Sequence, residues 1–168
     1  MPRATSPSRK GDLCRARERL GDALALHDRD GRLFGRAFGL WGLGAVALRE
    51  GGTAEAAGWH ARAYATARAQ AAGDEAACAL EGLAAACASR GDAGTAARLL
   101  GAAARHRERI GAGAAILARA PAEEASALVD AALGPALARG QRERGAALDV
   151  HALDALVERV AVVLGGED

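Results

Sequence analysis

Three short triplets recur every 40 residues, Lys10-Gly11-Asp12, Glu50-Gly51-Gly52 and Arg90-Gly91-Asp92, and this period constrains the fold more than any other feature. The agreement continues downstream. Ala16, Ala56 and Ala96 share one register, Leu20, His60 and Leu100 the next, and Ala23, Ala63 and Ala103 a third. Upstream of the second and third glycines, Gly42-Leu43-Gly44 aligns with Gly82-Leu83-Ala84. Self-similarity at a fixed period marks stacked supersecondary units, each too small to cover its own apolar face.

Composition identifies the unit. Of 168 residues, 47 are alanine and 22 are glycine; 51% are hydrophobic but only 3% aromatic. Alanine is the best helix former and β-branched residues are scarce, which excludes sandwiches, barrels and parallel sheets. Each unit therefore reads as two helices joined at the glycine, which supplies a left-handed C′ residue, with Asp12, Thr53 and Asp92 as caps of the second helix. Helices are expected at about 12–27, 32–50, 53–72, 75–90 and 93–110. Connections such as Asp28-Arg29-Asp30-Gly31 and Gly73-Asp74 are short, so neighbours are antiparallel. Gly35, Gly39, Gly42 and Gly44 fall in one such helix, where each costs about 0.8–1 kcal/mol against alanine. Close approach of a neighbouring helix must offset that cost.

At this point the chain resembles the tetratricopeptide family. Leu43-Gly44, Gly51, Ala56 and Ala63 fall at that repeat's spacing, and Leu83-Ala84, Gly91, Ala96 and Ala103 repeat it. The family's usual period of about 34 is exceeded. Ala47 and Cys87 stand where a tyrosine is common. A closer resemblance runs through Gly73-Asp74, Ala79-Leu80-Glu81-Gly82-Leu83-Ala84, Gly91-Asp92, Ala96 to Ala103 and Arg107-Glu108-Arg109-Ile110-Gly111. That run is similar to the C-terminal helical arms of large actinobacterial transcriptional regulators, which join a DNA-binding domain and a signal-transduction ATPase to such an arm. The resemblance implies a short tetratricopeptide-like solenoid of antiparallel helix hairpins, all-α, with a C-terminal capping helix.

The expected organisation is a disordered N-terminal tail over 1–9, a repeat domain over 10–110 and C-terminal helices over 111–168 that pack on the repeats. Lys10-Gly11-Asp12 aligns with the middle of a unit, so its first helix has no counterpart upstream. The chain is then either a detached arm or a protein that completes the first unit by self-association as a homo-oligomer. In the last third, Pro121-Ala122-Glu123-Glu124 is expected to open a helix that Pro135 ends, and Gly140 to Gly145 to form a charged linker. Asp149 then caps a helix whose stripe Val150, Leu153, Leu156, Val157, Val160 and Leu164 docks on the final repeat.

Several functions are disfavoured. Lys10 is the only lysine, leaving Schiff-base and phosphate-loop chemistry almost without a candidate. No H-E-x-x-H, G-x-S-x-G or Gly-Lys-Ser/Thr loop is present. No catalytic residue, metal site or cofactor is assigned, and the chain is read as non-enzymatic. With 22 basic against 21 acidic residues, direct nucleic-acid binding is disfavoured too. Met1 to Arg9 lacks the apolar core of a signal peptide, and Leu33 to Leu48 contains Arg36 and is too short to span a bilayer. Cys14, Cys78 and Cys87 are read as small fillers in a reducing cytoplasm. His106, among arginines at a helix end, is assigned to a solvated face.

All five aromatics, Phe34, Phe38, Trp41, Trp59 and Tyr64, lie within one hairpin's length. Phe34, Phe38 and Trp41 follow i, i+4, i+7 and share a helix face, which is either core or a groove wall. The tetratricopeptide resemblance maps the groove onto Phe38, Trp41, Ala45, Leu48 and Arg49, then onto Cys78, Glu81, Ala85, Ala88 and Ser89. The expected function is a protein-interaction module in signalling or transcriptional regulation, binding a peptide or partner helix through Phe38, Trp41, Leu48, Arg49, Cys78, Glu81 and Ser89. The alternative is a small all-α ligand-binding protein or enzyme with a pocket around Trp41, His60 and Tyr64. An open concave face favours the first; an enclosed cavity above ~300 Å³ with converging polar groups favours the second.

Overall fold

The computed structural model describes residues 7–30, 35–111 and 116–166. Among the described residues there are eight helices and no strand: α1 (Pro7–Asp30), α2 (Arg36–Glu50), α3 (Thr53–Ala69), α4 (Gly73–Ser89), α5 (Ala93–Ile110), α6 (Ile116–Leu133), α7 (Pro135–Ala146) and α8 (Val150–Gly165). Each of α1 to α5 packs on the next, and α2 also touches α4. α6 lies against α4 and α5, α7 against α5, and α8 against α3 with a smaller contact to α4. No helix among the described residues is long and apolar enough to cross a membrane.

The turns explain the regular lengths. Positive φ occurs at Gly51 (88°), Ala71 (53°), Gly91 (85°) and Gly111 (65°), one left-handed residue every 20 positions. After the first three, the next N–H bonds back across the helix end: Gly52 to the Ala47 carbonyl, Ala72 to Ala67 and Asp92 to Cys87, at 2.8–3.0 Å. These are Schellman closures, which satisfy carbonyls the helix leaves without partners. Ala71 holds this geometry against the steric cost of its Cβ.

Small residues set the packing. Ala47, Ala56, Ala57, Ala63, Ala67, Ala77, Ala84, Ala96 and Ala97 are wholly buried, around Leu80, Leu83 and Leu99. In α1, Leu20 and Leu24 sit on Gly42 and Gly39, where an added Cβ would lie 3.0 Å from their methyls. The same relation recurs 40 residues on, with His60 of α3 on Gly82 of α4. α5 and α7 come closer still. A Cβ on Gly101 would collide with the Arg142 carbonyl, and one on Gly145 with the Arg98 carbonyl. Arg98-x-x-Gly101 and Arg142-x-x-Gly145 thus make a reciprocal backbone crossing.

Several boundaries differ from expectation. α1 begins at Pro7 and runs straight through Lys10-Gly11-Asp12, so Asp12 caps nothing and residues 7–9 are helix rather than tail. Proline at a first helical position removes no hydrogen bond, and no preceding described helix packs there to favour a turn. The N-cap of α3 is Gly52 rather than Thr53, whereas Asp92 caps α5 by accepting the Thr95 N–H (3.0 Å). α2 starts at Arg36, behind a left-handed Gly35; Gly31 and Phe34 lie outside the described residues.

The last third departs further. Pro121 lies inside α6 and removes one backbone bond, and Pro135 opens α7 rather than merely ending its neighbour. Gly140 to Gly145 is helical, and at Gly145 the close approach of α5 compensates the glycine. Asp149 caps α8 through the Ala152 N–H (2.8 Å), as expected. The α8 stripe buries Leu153, Leu156, Val157, Val160 and Leu164 but leaves Val150 exposed. It docks mainly on α3, with only the smaller contact to α4 reaching the final hairpin, and Asp154 accepts from Arg68 on α3 (2.7 Å).

Candidate functional site

α2, α4 and α6 bound a cavity of about 470 Å³. α2 contributes Trp41, Ala45, Leu48 and Arg49, which recur at helical spacing on one face. α4 contributes Glu81, Ala85 and Ser89 from the registers of Trp41, Ala45 and Arg49 40 residues later, together with Gly82. α6 closes the third side with Pro121, Glu124, Ala125 and Leu128. Of the seven residues assigned to a groove, Trp41, Leu48, Arg49, Glu81 and Ser89 meet here.

The other two do not. Phe38 is exposed and packs beside Trp41, with ring centroids 5.2 Å apart and planes tilted by 30°. Cys78 is buried, and its Sγ accepts from Arg107 (3.5 Å). Burial pushes the thiol up to about 11, so it is an inert packing group.

Glu81 lines the cavity but is already engaged. Arg107 of α5 donates to both its carboxylate oxygens, Nε to Oε1 and Nη2 to Oε2, each at 2.9 Å. Both side chains are buried, and Asp74 also accepts from Arg107. The carboxylate partner holds the guanidinium pKa above its ordinary value. In the 40-residue register Glu81 replaces Trp41 and Arg107 replaces Ala67. Opposite charges entering two apolar slots together was the available signal for a buried pair, and the run Arg105 to Arg109 concealed it.

Ser89 donates to the Ala85 carbonyl (2.8 Å), and Arg49 and Glu124 are exposed. His60 differs from all of these. It projects from α3, behind α2 and α4, and is 1% exposed. Its imidazole passes between Gly44 and Gly82: a Cβ on Gly44 would lie 2.6 Å from Cε1 and Nε2, and one on Gly82 closer still. The ring reaches the cavity through this window and forms part of its wall. Neither ring nitrogen has a hydrogen-bond partner among the described residues. Burial pushes its pKa down to about 3, so the imidazole is neutral.

Tyr64 does not join Trp41 and His60. Its hydroxyl donates to Asp154 of α8 (3.1 Å), and burial pushes it up to about 12. The expected trio therefore splits between two sides of α3. His106 is not simply solvated either: it is half-buried and faces a second cavity of about 260 Å³ with Arg68, Arg105 and Arg109. Among the described residues no group of three or more His, Cys, Asp or Glu side chains could hold a metal ion.

The contribution of α6 was not legible in the sequence, because Pro121 reads as a helix start. No family model, curated protein or solved structure matches this chain, so the site is read from its own geometry.

Proposed function

We propose that the chain is a non-catalytic helical-repeat interaction module, acting in cytoplasmic signalling or transcriptional control as its resemblance to regulator arms implies. In this reading α2–α3 and α4–α5 are two units of a short tetratricopeptide-like stack, and α1 is the second helix of an incomplete one. The recurrence of Leu20 on Gly42 as His60 on Gly82 supports that arrangement. The groove between α2 and α4 takes a peptide or partner helix.

One observation carries the reading. The groove wall already accepts a helix: α6 lies along α4, burying Ala125 and Val129, while Trp41, Leu48 and Arg49 remain beside it. Helix-in-groove recognition uses such an apolar wall with a charged rim. The test places a photo-crosslinking side chain at Leu48 and, as control, at exposed Val163. Partner peptides are expected to link only at Leu48. The double substitution Trp41→Ala, Arg49→Ala should reduce capture about 100-fold, as loss of an aromatic and an arginine anchor does, without loss of helicity. Equal linking at Val163, or capture undiminished by the double substitution, rules the groove out.

A further inference from the structure

We propose that the cavity bordered by α3, α5 and the start of α8 binds the phosphate group of a small phosphomonoester, held by Arg105, His106 and Arg109. It shares no residue with the groove between α2 and α4, so the two assignments stand or fall separately. The first observation is a segregation of charge. The chain as a whole balances 22 basic against 21 acidic residues, yet every ionisable group lining this cavity is basic: Arg68 from α3, and Arg105, His106 and Arg109 from α5. The repeat does not require this. Forty residues earlier, the positions of Arg105, His106 and Arg109 hold Ala65, Thr66 and Ala69. Arg105 and Arg109 stand at i and i+4 on one helix face, where like charges repel. Helix dipoles favour Arg68 and Arg109 in the last turns of α3 and α5, but Arg105 lies before the last turn.

The chain's own carboxylates do not fill the site. Asp154 holds Arg68 at 2.7 Å, whereas Glu108 meets Arg105 only at 3.4 Å, with both side chains exposed. Arg109 has no ion pair among the described residues. Burial, then Arg109 and Arg68, push the His106 pKa below its ordinary value, and no carboxylate offsets them. Two guanidinium forks and an imidazole N–H match the three terminal oxygens of a phosphomonoester better than the two of a carboxylate. Beside them Ala67, Ala76, Ala102 and Leu153 form an apolar floor for the organic body. At about 260 Å³ the space falls just below the range of drug-sized pockets, which limits that body to the bulk of about one ring. The balanced charge of the remaining surface offers no track for a polyanion.

Calorimetric titration of the full chain at fixed ionic strength compares phenyl phosphate, inorganic phosphate and phenol, with the ¹⁵N signals of the His106 ring marking the place of binding. Phenyl phosphate is expected to saturate, to shift those signals, and to bind about 10-fold tighter than inorganic phosphate, while phenol does not saturate. Arg109→Gln should weaken binding about 10-fold, and Arg105→Gln with Arg109→Gln about 100-fold. Both side chains are exposed, so helicity should be unchanged in each variant. Arg159→Gln, which removes the same charge from α8 outside the cavity lining, should change affinity by less than about 2-fold. The site is overturned by non-saturating phenyl phosphate, by unmoved His106 signals, by affinity that survives the double substitution, or by an equal loss in Arg159→Gln. Inorganic phosphate binding as tightly as phenyl phosphate would overturn the ester, and a phosphoserine hexapeptide binding more than about 10-fold tighter would overturn the small molecule in favour of a phosphorylated protein segment.

Discussion

At the crossing of α5 and α7, Gly101 and Gly145 bring two backbones into contact; between α2 and α4, Gly44 and Gly82 hold a side chain in the space they leave. The residue type is the same and the consequences differ. At the crossing the obstacle to any Cβ is a peptide carbonyl, which cannot rotate away without unwinding its helix. At the window the obstacle is an imidazole, which a second substitution can shorten. The crossing fixes the position of α7, whereas the window brings a polar group to the wall of a cavity.

The largest expected effect breaks the crossing. Gly145→Ala should cost about 3 kcal/mol and lower the melting temperature by roughly 6–12 °C. Gly101→Ala should do the same, and the double variant should cost far less than the sum, because one intruding methyl already separates the helices. Additive losses in thermal melts would mean that the two glycines do not share a contact.

Gly82→Ala should cost about 2 kcal/mol in the wild-type chain but less than about 0.5 kcal/mol in a His60→Ala background, where the imidazole is gone. No side-chain change can rescue the crossing in that way. Equal penalties in both backgrounds, measured by denaturant unfolding, would erase the distinction.

The window also responds to acid where the crossing does not. His60 has its folded pKa near 3, below the ordinary 6.5, so between those values the unfolded chain binds the proton more readily. Its contribution is complete above about pH 6.5 and is lost as pH falls, by about 2 kcal/mol from pH 7 to 5. His106, also held low by burial and nearby arginines, and Glu81 on the cavity wall remain in a His60→Leu variant. That variant should therefore be less acid-sensitive by the His60 share. Parallel stability profiles for the two proteins would contradict a neutral His60.

The smallest effect concerns conformation rather than contact. Ala71 occupies the left-handed position that glycine holds at 51, 91 and 111. Ala71→Gly should raise stability by about 1 kcal/mol, or roughly 2–4 °C, by removing Cβ strain. A lower melting temperature would indicate that the alanine methyl packs usefully.

These contrasts explain what the sequence could reveal. α3, α4 and α5 fall within a few residues of expectation, because local rules place left-handed residues after helix ends and the period repeats them. The shared cavity face of Trp41, Leu48, Arg49, Glu81 and Ser89 was legible for the same reason. What tertiary contact decides was not. Gly140 to Gly145 reads as a linker until α5 comes up against Gly145, and Pro121 and Pro135 each fit the beginning or the end of a helix. The buried pairing of Arg107 was not legible because its carboxylate partner lies 26 residues away in sequence. The orphaned nitrogens of His60 depend on two glycines from different helices, which no local pattern joins.

The spacing of left-handed residues at 51, 71, 91 and 111 also restricts how such a chain could change in length. One step of 20 adds a helix and reverses the chain's direction. An insertion of 20 would keep every turn intact yet exchange front and back for all that follows, sending Glu81 and Ser89 to the wrong side of the molecule. Only steps of 40 restore the facing, so growth or loss by whole pairs is the one indel rule that spares the cavity.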